Sequence, residues 1–191
     1  MPPVGQSGRD DMMRQRGGWF ATRLGPMIAA VEASGAVTRL DFLVGDDPAA
    51  AFAREAGRHG IDRDDGAIAA VVAEVAEYFA GRRRRFDVAL APDGSPFQHR
   101  VWAELLRIPF GETRSYGELA RTLGCPGSAR AVGRANATNP IAVIVPCHRV
   151  IGADGSLTGY AGGIPIKQAL LQHEGALHSD AHRPQLRLAG F

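Results

Sequence analysis

The chain has 191 residues, 45% of them hydrophobic and 22% charged, with a formal net charge of +2 and two cysteines, Cys125 and Cys147. That composition suits a globular protein with one large core or two small ones and excludes a disulfide scaffold. No apolar run of about eighteen residues occurs, which excludes a transmembrane helix, and no membrane partner is expected. Met1 to Gly18 mix Pro, Gly, Asp and Arg without an apolar stretch, unlike a secretory signal, so an intracellular, cytoplasmic setting is expected.

After a flexible N-terminus over residues 1–17, residues 19–22, 27–31 and 37–44 read as strands. The turn formers Leu24-Gly25-Pro26 and Ala33-Ser34-Gly35 separate them, giving a small antiparallel meander. Two helical stretches follow, and in the second Ile68, Val71, Val72, Val75 and Phe79 share one face. The run Arg82 to Arg85 reads as a solvated turn before a short strand over residues 87–90. Residues 92–95, within the turn-rich Ala91-Pro92-Asp93-Gly94-Ser95-Pro96, are the expected linker between an N-terminal domain, residues 18–91, and a second domain, residues 96–175.

The second domain reads as mostly helical. Residues 97–107 form an apolar-faced helix with Ser95 as cap and Pro96 in its first turn, ended by Ile108-Pro109-Phe110-Gly111. Residues 115–123 and 128–136 are two short helices joined by Gly124-Cys125-Pro126-Gly127, the second capped by Ser128. They fit a helix-turn-helix, with Cys125 a structural residue in its turn. Asn139-Pro140 is a turn, residues 141–145 read as a buried strand, and Gly-rich loops follow at residues 152–155 and 159–163. A last helix from about Pro165 to Gly175 precedes a flexible tail, residues 176–191. The fold class expected is α/β (α+β), with a winged helix-turn-helix-like second domain.

Charge is unevenly spread. Residues 114–153 carry Arg114, Arg121, Arg130, Arg134 and Arg149 against a single acid, Glu118, a local basic surface suited to phosphates. Of the 22 basic residues only Lys167 is lysine, which suggests a task that guanidinium cannot perform. Cys147 follows the apolar run and a proline and is flanked by His148 and Arg149, both able to favour a thiolate. Glu174 is a candidate partner for the second imidazole nitrogen.

The stretch Asn139-Pro140-Ile141-Ala142-Val143-Ile144-Val145-Pro146-Cys147-His148-Arg149-Val150 resembles the active-site signature of the O6-alkylguanine-DNA alkyltransferases. Ile108-Pro109-Phe110-Gly111-Glu112-Thr113, Ser115-Tyr116-Gly117, Ser128-Ala129-Arg130-Ala131-Val132-Gly133, Gly159-Tyr160-Ala161-Gly162-Gly163 and His173-Glu174-Gly175 resemble that family too, in its order and spacing. The resemblance covers residues 96–175, and residues 1–95 match only in outline.

It implies a repair protein that moves an alkyl group from O6-alkylguanine in double-stranded DNA to its own Cys147, once per molecule and without a cofactor. O4-alkylthymine stands open as a second substrate. By this resemblance His148, backed by Glu174, takes the thiol proton through a water, Asn139 holds the turn, and Tyr116 with Lys167 serves the departing base. Val150, Tyr160, Ala161 and Gly162 line the base pocket. Arg130, with Ser115, Ala129, Tyr116 and Arg134, meets the DNA, the second helix enters the minor groove, and Arg130 fills the space left by a flipped nucleotide. A monomer is expected, with cooperative assembly on DNA left open.

Ala161 stands where some members carry Ser. The N-terminal zinc site of some members cannot form, since residues 1–95 hold no Cys and only His59, and His178 with His182 lacks a third ligand, so no metal is expected. Three rivals stand beside this reading: a non-enzymatic relative, which would lack the cysteine; a transcription factor, which would need a dimerisation segment; and a cysteine hydrolase, which would need an oxyanion motif.

Overall fold

Three strands open the described part of the chain, residues 15–177 of a computed structural model. β1 (Gln15–Thr22), β2 (Gly25–Val31) and β3 (Val37–Phe42) form the expected antiparallel meander. A short β4 (Ile61–Arg63) pairs in parallel with β1, so the sheet order is β3-β2-β1-β4. β1 starts at Gln15, so residues 15–17 belong to the sheet and not to a flexible N-terminus. A Gly-Gly pair argues against a strand on propensity, but here bare backbone is required. A Cβ on Gly17 would collide with the Ala29 carbonyl, and one on Gly18 with the Asp65 carboxylate. Residues 1–14 and the tail from 178, with His178 and His182, lie outside the described residues.

The sheet has two apolar faces. On one lies α1 (Pro48–His59), whose Phe52 packs with Ile28, Ala30 and Leu43. Asp47 caps α1 by accepting from the amides of Ala49 and Ala50, and Gly60 ends it in the left-handed conformation. On the other lies α2 (Ala69–Phe79), which buries Val71, Val75 and Tyr78 beside Ile68. The centre of this face is Tyr78 rather than Phe79, which is only partly buried. The strand expected at residues 87–90 does not form. Leu90 alone bridges to Val37, and the amides of Asp87 and Val88 turn instead to the Glu74 carboxylate (2.9 and 3.5 Å).

The second half contains α3 (Pro96–Leu105), α4 (Tyr116–Thr122), α5 (Ala129–Ala137), a 3-10 turn (Cys147–Arg149) and α6 (Ile164–His173). Ser95 and Ser115 each close a capping box, with Gln98 and Glu118 respectively. Ser128 occupies the cap position of α5, yet its hydroxyl makes no capping bond. The helices α4 and α5 form the helix-turn-helix, and Trp102 of α3 fastens α5 by donating to the Ala135 carbonyl at 2.9 Å. Two short strands, β5 (Arg114–Ser115) and β6 (Val150–Ile151), pair beside it.

One apolar cluster runs from Met27, Leu40 and Val71 through Trp102 and Val132 to Leu170. The linker therefore divides the sequence but not the core. At the tail end, Ala176 and Leu177 still hydrogen-bond the Leu171 carbonyl at 2.9 and 3.4 Å.

Candidate active site and nucleic-acid-facing helix

Residues 141–145 are buried as expected, but they are not a strand. The segment is a compact turn in which Val143 adopts φ 70°, a strained conformation for a β-branched residue. The Asn139 side chain causes it. Its amide donates to the carbonyls of Val145 (2.8 Å) and Ile141 (3.3 Å), and its oxygen accepts from the Ile141 amide (3.0 Å). β3 clasps the same turn, the Leu40 amide donating to Pro140 (2.9 Å) and its carbonyl accepting from Ala142 (2.6 Å). Cys147 emerges from this turn, and the Asn136 amide of α5 donates to its carbonyl at 3.3 Å.

His148 and Glu174 are both buried, with the imidazole Nε2 2.9 Å from Glu174 Oε1. Glu174 collects a dense set of donors. Oε1 also accepts from Tyr78 Oη (2.7 Å) and Arg149 Nη2 (2.9 Å), while Oε2 accepts from Arg149 Nε (2.7 Å) and the Gly111 amide (3.4 Å). Burial alone would raise the Glu174 pKa, but hydrogen bonds from His148 and Arg149 outweigh it and hold the carboxyl well below the usual range. Burial lowers the His148 pKa against the pull of Glu174, so the imidazole is neutral near pH 7. An ionised Glu174 requires the proton on Nε2, which leaves Nδ1 as a lone-pair acceptor. That nitrogen has no hydrogen-bond partner among the described residues.

The charge balance at sulfur differs from expectation. Burial pushes the Cys147 thiol up to about 11, the Asn139 side chain and Lys167 pull it down, and Asp41 pushes it up. Arg149 does not contribute, because its guanidinium is spent on Glu174 and, at 2.6 Å, on the Ile108 carbonyl. His148, being neutral, does not contribute either. In the free protein Cys147 is a thiol.

Around it stand residues brought from several elements. Lys167 is fully buried, its ammonium donating to the carbonyls of Val150 (2.6 Å) and Thr158 (2.7 Å), and burial lowers its pKa to about 8. A compact donor that clips two carbonyls accounts for lysine here in a chain otherwise reliant on arginine. The Tyr116 hydroxyl reaches the same Thr158 carbonyl at 3.2 Å, and its ring lies over Gly133 of α5. The Tyr160 ring borders Gly162, as does Phe42, and the buried Tyr160 hydroxyl is unpartnered among the described residues. Ala161 is exposed and opens instead on a cavity shared with Asp41 and Glu55.

On α5, Ala129 is half-buried and Arg130 and Arg134 are exposed, with no carboxylate partner among the described residues. The two arginines flank a cavity lined also by Phe97, Gln98 and Thr138. The Ser115 hydroxyl is committed to Glu118, both accepting and donating, so its part is to start α4. Cys125 is a free, partly buried thiol in the turn. Tyr78 is the participant that sequence reasoning missed. Its only signal was a tyrosine on an apolar helix face, whose hydroxyl had to find a buried partner.

A buried thiol is thus followed in sequence by a buried His–Glu pair, with an arginine-bearing helix-turn-helix joined to it through Asn136. Residues 96–176 match the family model described as 6-O-methylguanine DNA methyltransferase, DNA binding domain. A methylated-DNA–protein-cysteine methyltransferase of Mycobacterium tuberculosis is 61% identical over 111 residues, spanning 58% of this chain and 67% of that protein. One of Methanosarcina barkeri is 45% identical over 160 residues, spanning 79% and 91%. The crystal structure of the M. tuberculosis O6-methylguanine methyltransferase is similar, with TM-score 0.74 and 46% identity over 87% of this chain and 96% of that one. The M. tuberculosis protein in complex with DNA has TM-score 0.74 and 46% identity over 85% and 93%. The chain belongs to the methylated-DNA–protein-cysteine methyltransferase family.

Proposed function

We propose that this protein repairs double-stranded DNA by moving the alkyl group of O6-alkylguanine onto its own Cys147. The observation that carries the reading is the buried thiol next in sequence to a neutral His148 whose Nδ1 lone pair is unspent and whose ring is oriented by an ionised Glu174. Sulfur attacks the alkyl carbon, the S–C bond forms, and the C–O pair leaves with guanine. The thiol proton passes through water to His148 Nδ1, and guanine leaves as a neutral base after taking a proton delivered through the Tyr116 hydroxyl. Thiolate formation from a thiol near pKa 11 would cost about 5 kcal/mol at pH 7, so removal of the proton must be coupled to attack. The product is a thioether, which no group at the site can displace, so each molecule acts once.

The reacting oxygen lies within the base stack, so the nucleotide is extruded into the pocket beside Tyr116 and Val150. The exposed, unpaired Arg130 at the start of α5 occupies the vacated space while the second helix lies in the minor groove. The DNA complex of the M. tuberculosis relative supports DNA as partner.

The test is intact mass after incubation with a duplex containing O6-methylguanine. One added CH2 equivalent, mapped to the Cys147 peptide and stopping at one per molecule, is expected. Turnover, or label on Cys125, would sink the proposal.

A further inference from the structure

The four arginines Arg82 to Arg85 play no part in alkyl transfer, yet their side chains have distinct placements. Arg83 is consumed internally, bound to Glu77 (2.7 Å) and Asp87 (2.7 Å) and close to Glu74 (3.6 Å), and it pins the loop after α2. Arg84 lies over the Phe110 ring, 5.2 Å from its centroid. Arg85 is exposed, and neither Arg84 nor Arg85 has a carboxylate partner among the described residues. Both border a groove of about 700 Å³, within the size range of ligand cavities.

Its lining mixes the apolar side chains of Phe86, Val88, Leu106, Ile108 and Phe110 with arginines, and it reaches Pro146 beside the catalytic turn. Leu106 is 50% exposed, one of few large hydrophobic side chains left in water among the described residues. Arg107, paired with Glu104 at 2.8 Å, also lines the groove. Arg149 lines it as well, but Glu174 neutralises it. The groove shares no lining residue with the cavity beside Arg130 and Arg134 on α5.

We propose that this groove docks a peptide segment of a partner protein in which acidic residues flank aliphatic or aromatic ones. Charge complementarity selects the occupant: the unpaired Arg84 and Arg85 meet carboxylates, while apolar side chains cover the exposed Leu106 and its neighbour Phe86. The exposed Leu106 among these arginines asks for an apolar contact that a sugar-phosphate backbone does not offer. The inference goes beyond the alkyl-transfer reading and does not depend on it.

The probe is a fluorescein-labelled peptide, Asp-Asp-Leu-Asp-Phe-Asp, titrated with the full chain and followed by anisotropy. Saturable binding is expected, weakening about tenfold in the double variant Arg84→Glu, Arg85→Glu. Leu106→Asp, at a position already half exposed, should weaken it as much without disturbing the fold. Peptides with Lys for every Asp, or Ser for Leu and Phe, should not bind, and alkyl transfer to Cys147 should be unchanged in both variants. No binding of the acidic peptide, equal binding of the Lys peptide, or binding unaffected by either variant overturns the proposal. Displacement of the peptide by undamaged duplex DNA would make the groove a DNA surface. A change in sedimentation between wild type and variants would make it a self-association surface. Either result overturns the peptide assignment.

Discussion

Replacing Tyr78 by Phe removes one hydroxyl from the buried cluster and nothing else. The ring stays in place, edge-on to His173 (4.8 Å between centroids) and to Phe79 (5.2 Å). The lost hydrogen bond, 2.7 Å to Glu174 Oε1, ends on a charged and fully buried acceptor. Such a bond contributes roughly 1.5–3 kcal/mol. Glu174 keeps its bonds to His148, Arg149 and the Gly111 amide, so about 2 kcal/mol is the expected loss, lowering Tm by roughly 4–8 °C for a chain of this size. The pH dependence carries the sharper test. The folded pKa of Glu174 is depressed, so its stabilising contribution is present above the unfolded carboxylate value, about 4.3, and is lost as pH falls toward the lower folded value. Tyr78→Phe lifts the folded pKa part of the way back. Wild type and variant should therefore differ by the full amount at pH 7 and pH 5, the gap closing only as pH falls into the depressed range where folded Glu174 itself takes a proton. Urea unfolding at pH 7, 5 and 3.5 measures this directly. A variant as stable as wild type at pH 7, or a gap that widens as pH falls, would refute the claim that the hydroxyl serves an ionised Glu174. Glu174→Gln is the harsher companion, stranding Arg149 beside a neutral amide at a cost of about 3–5 kcal/mol.

Because burial holds the Cys147 thiol near 11, its reaction with iodoacetamide in the free protein should climb steadily between pH 7 and 10, and a plateau near pH 8 would contradict the site electrostatics. His148→Ala should leave that profile nearly unchanged while slowing transfer from DNA by about 100-fold, and equal effects on the two reactions would remove the base from the mechanism. Asn139→Ala strips hydrogen bonds from both ends of the catalytic turn, so urea unfolding should show a loss of roughly 2–4 kcal/mol; a loss under about 1 kcal/mol would mean that the Leu40 clasp alone holds it. Arg130→Ala should slow repair of duplex far more than it weakens binding to undamaged DNA, and should matter little for free O6-benzylguanine. If duplex repair and binding fall by the same factor, Arg130 is a phosphate contact.

Much of this protein was legible one segment at a time, because the forces involved act over a few residues. The Ser95 cap, the apolar face of α2, the turn-separated meander and the Gly-containing break between α4 and α5 are all local events. The Pro146-Cys147-His148 order similarly pointed to the nucleophile, and Glu174 to its second partner. Other features turned on what stands opposite in space. A run of five apolar residues satisfies a buried strand or a buried turn equally well, and the Asn139 side chain with the Leu40 backbone decides for the turn. Arg149 adjoins the cysteine in sequence, yet its charge belongs to Glu174, 25 residues away. Tyr78 lies 96 residues from the carboxylate it completes. Gly17 and Gly18 looked like poor strand formers until the Ala29 carbonyl and Asp65 carboxylate filled the space their side chains would have taken. The composition determined that a core would form and which helices and turns would start where. Only the packed chain determined which charges are paired and which thiol, imidazole and arginines remain unspent, because Coulomb and hydrogen-bond energies depend on distance in space and on exclusion of water, and sequence separation encodes neither.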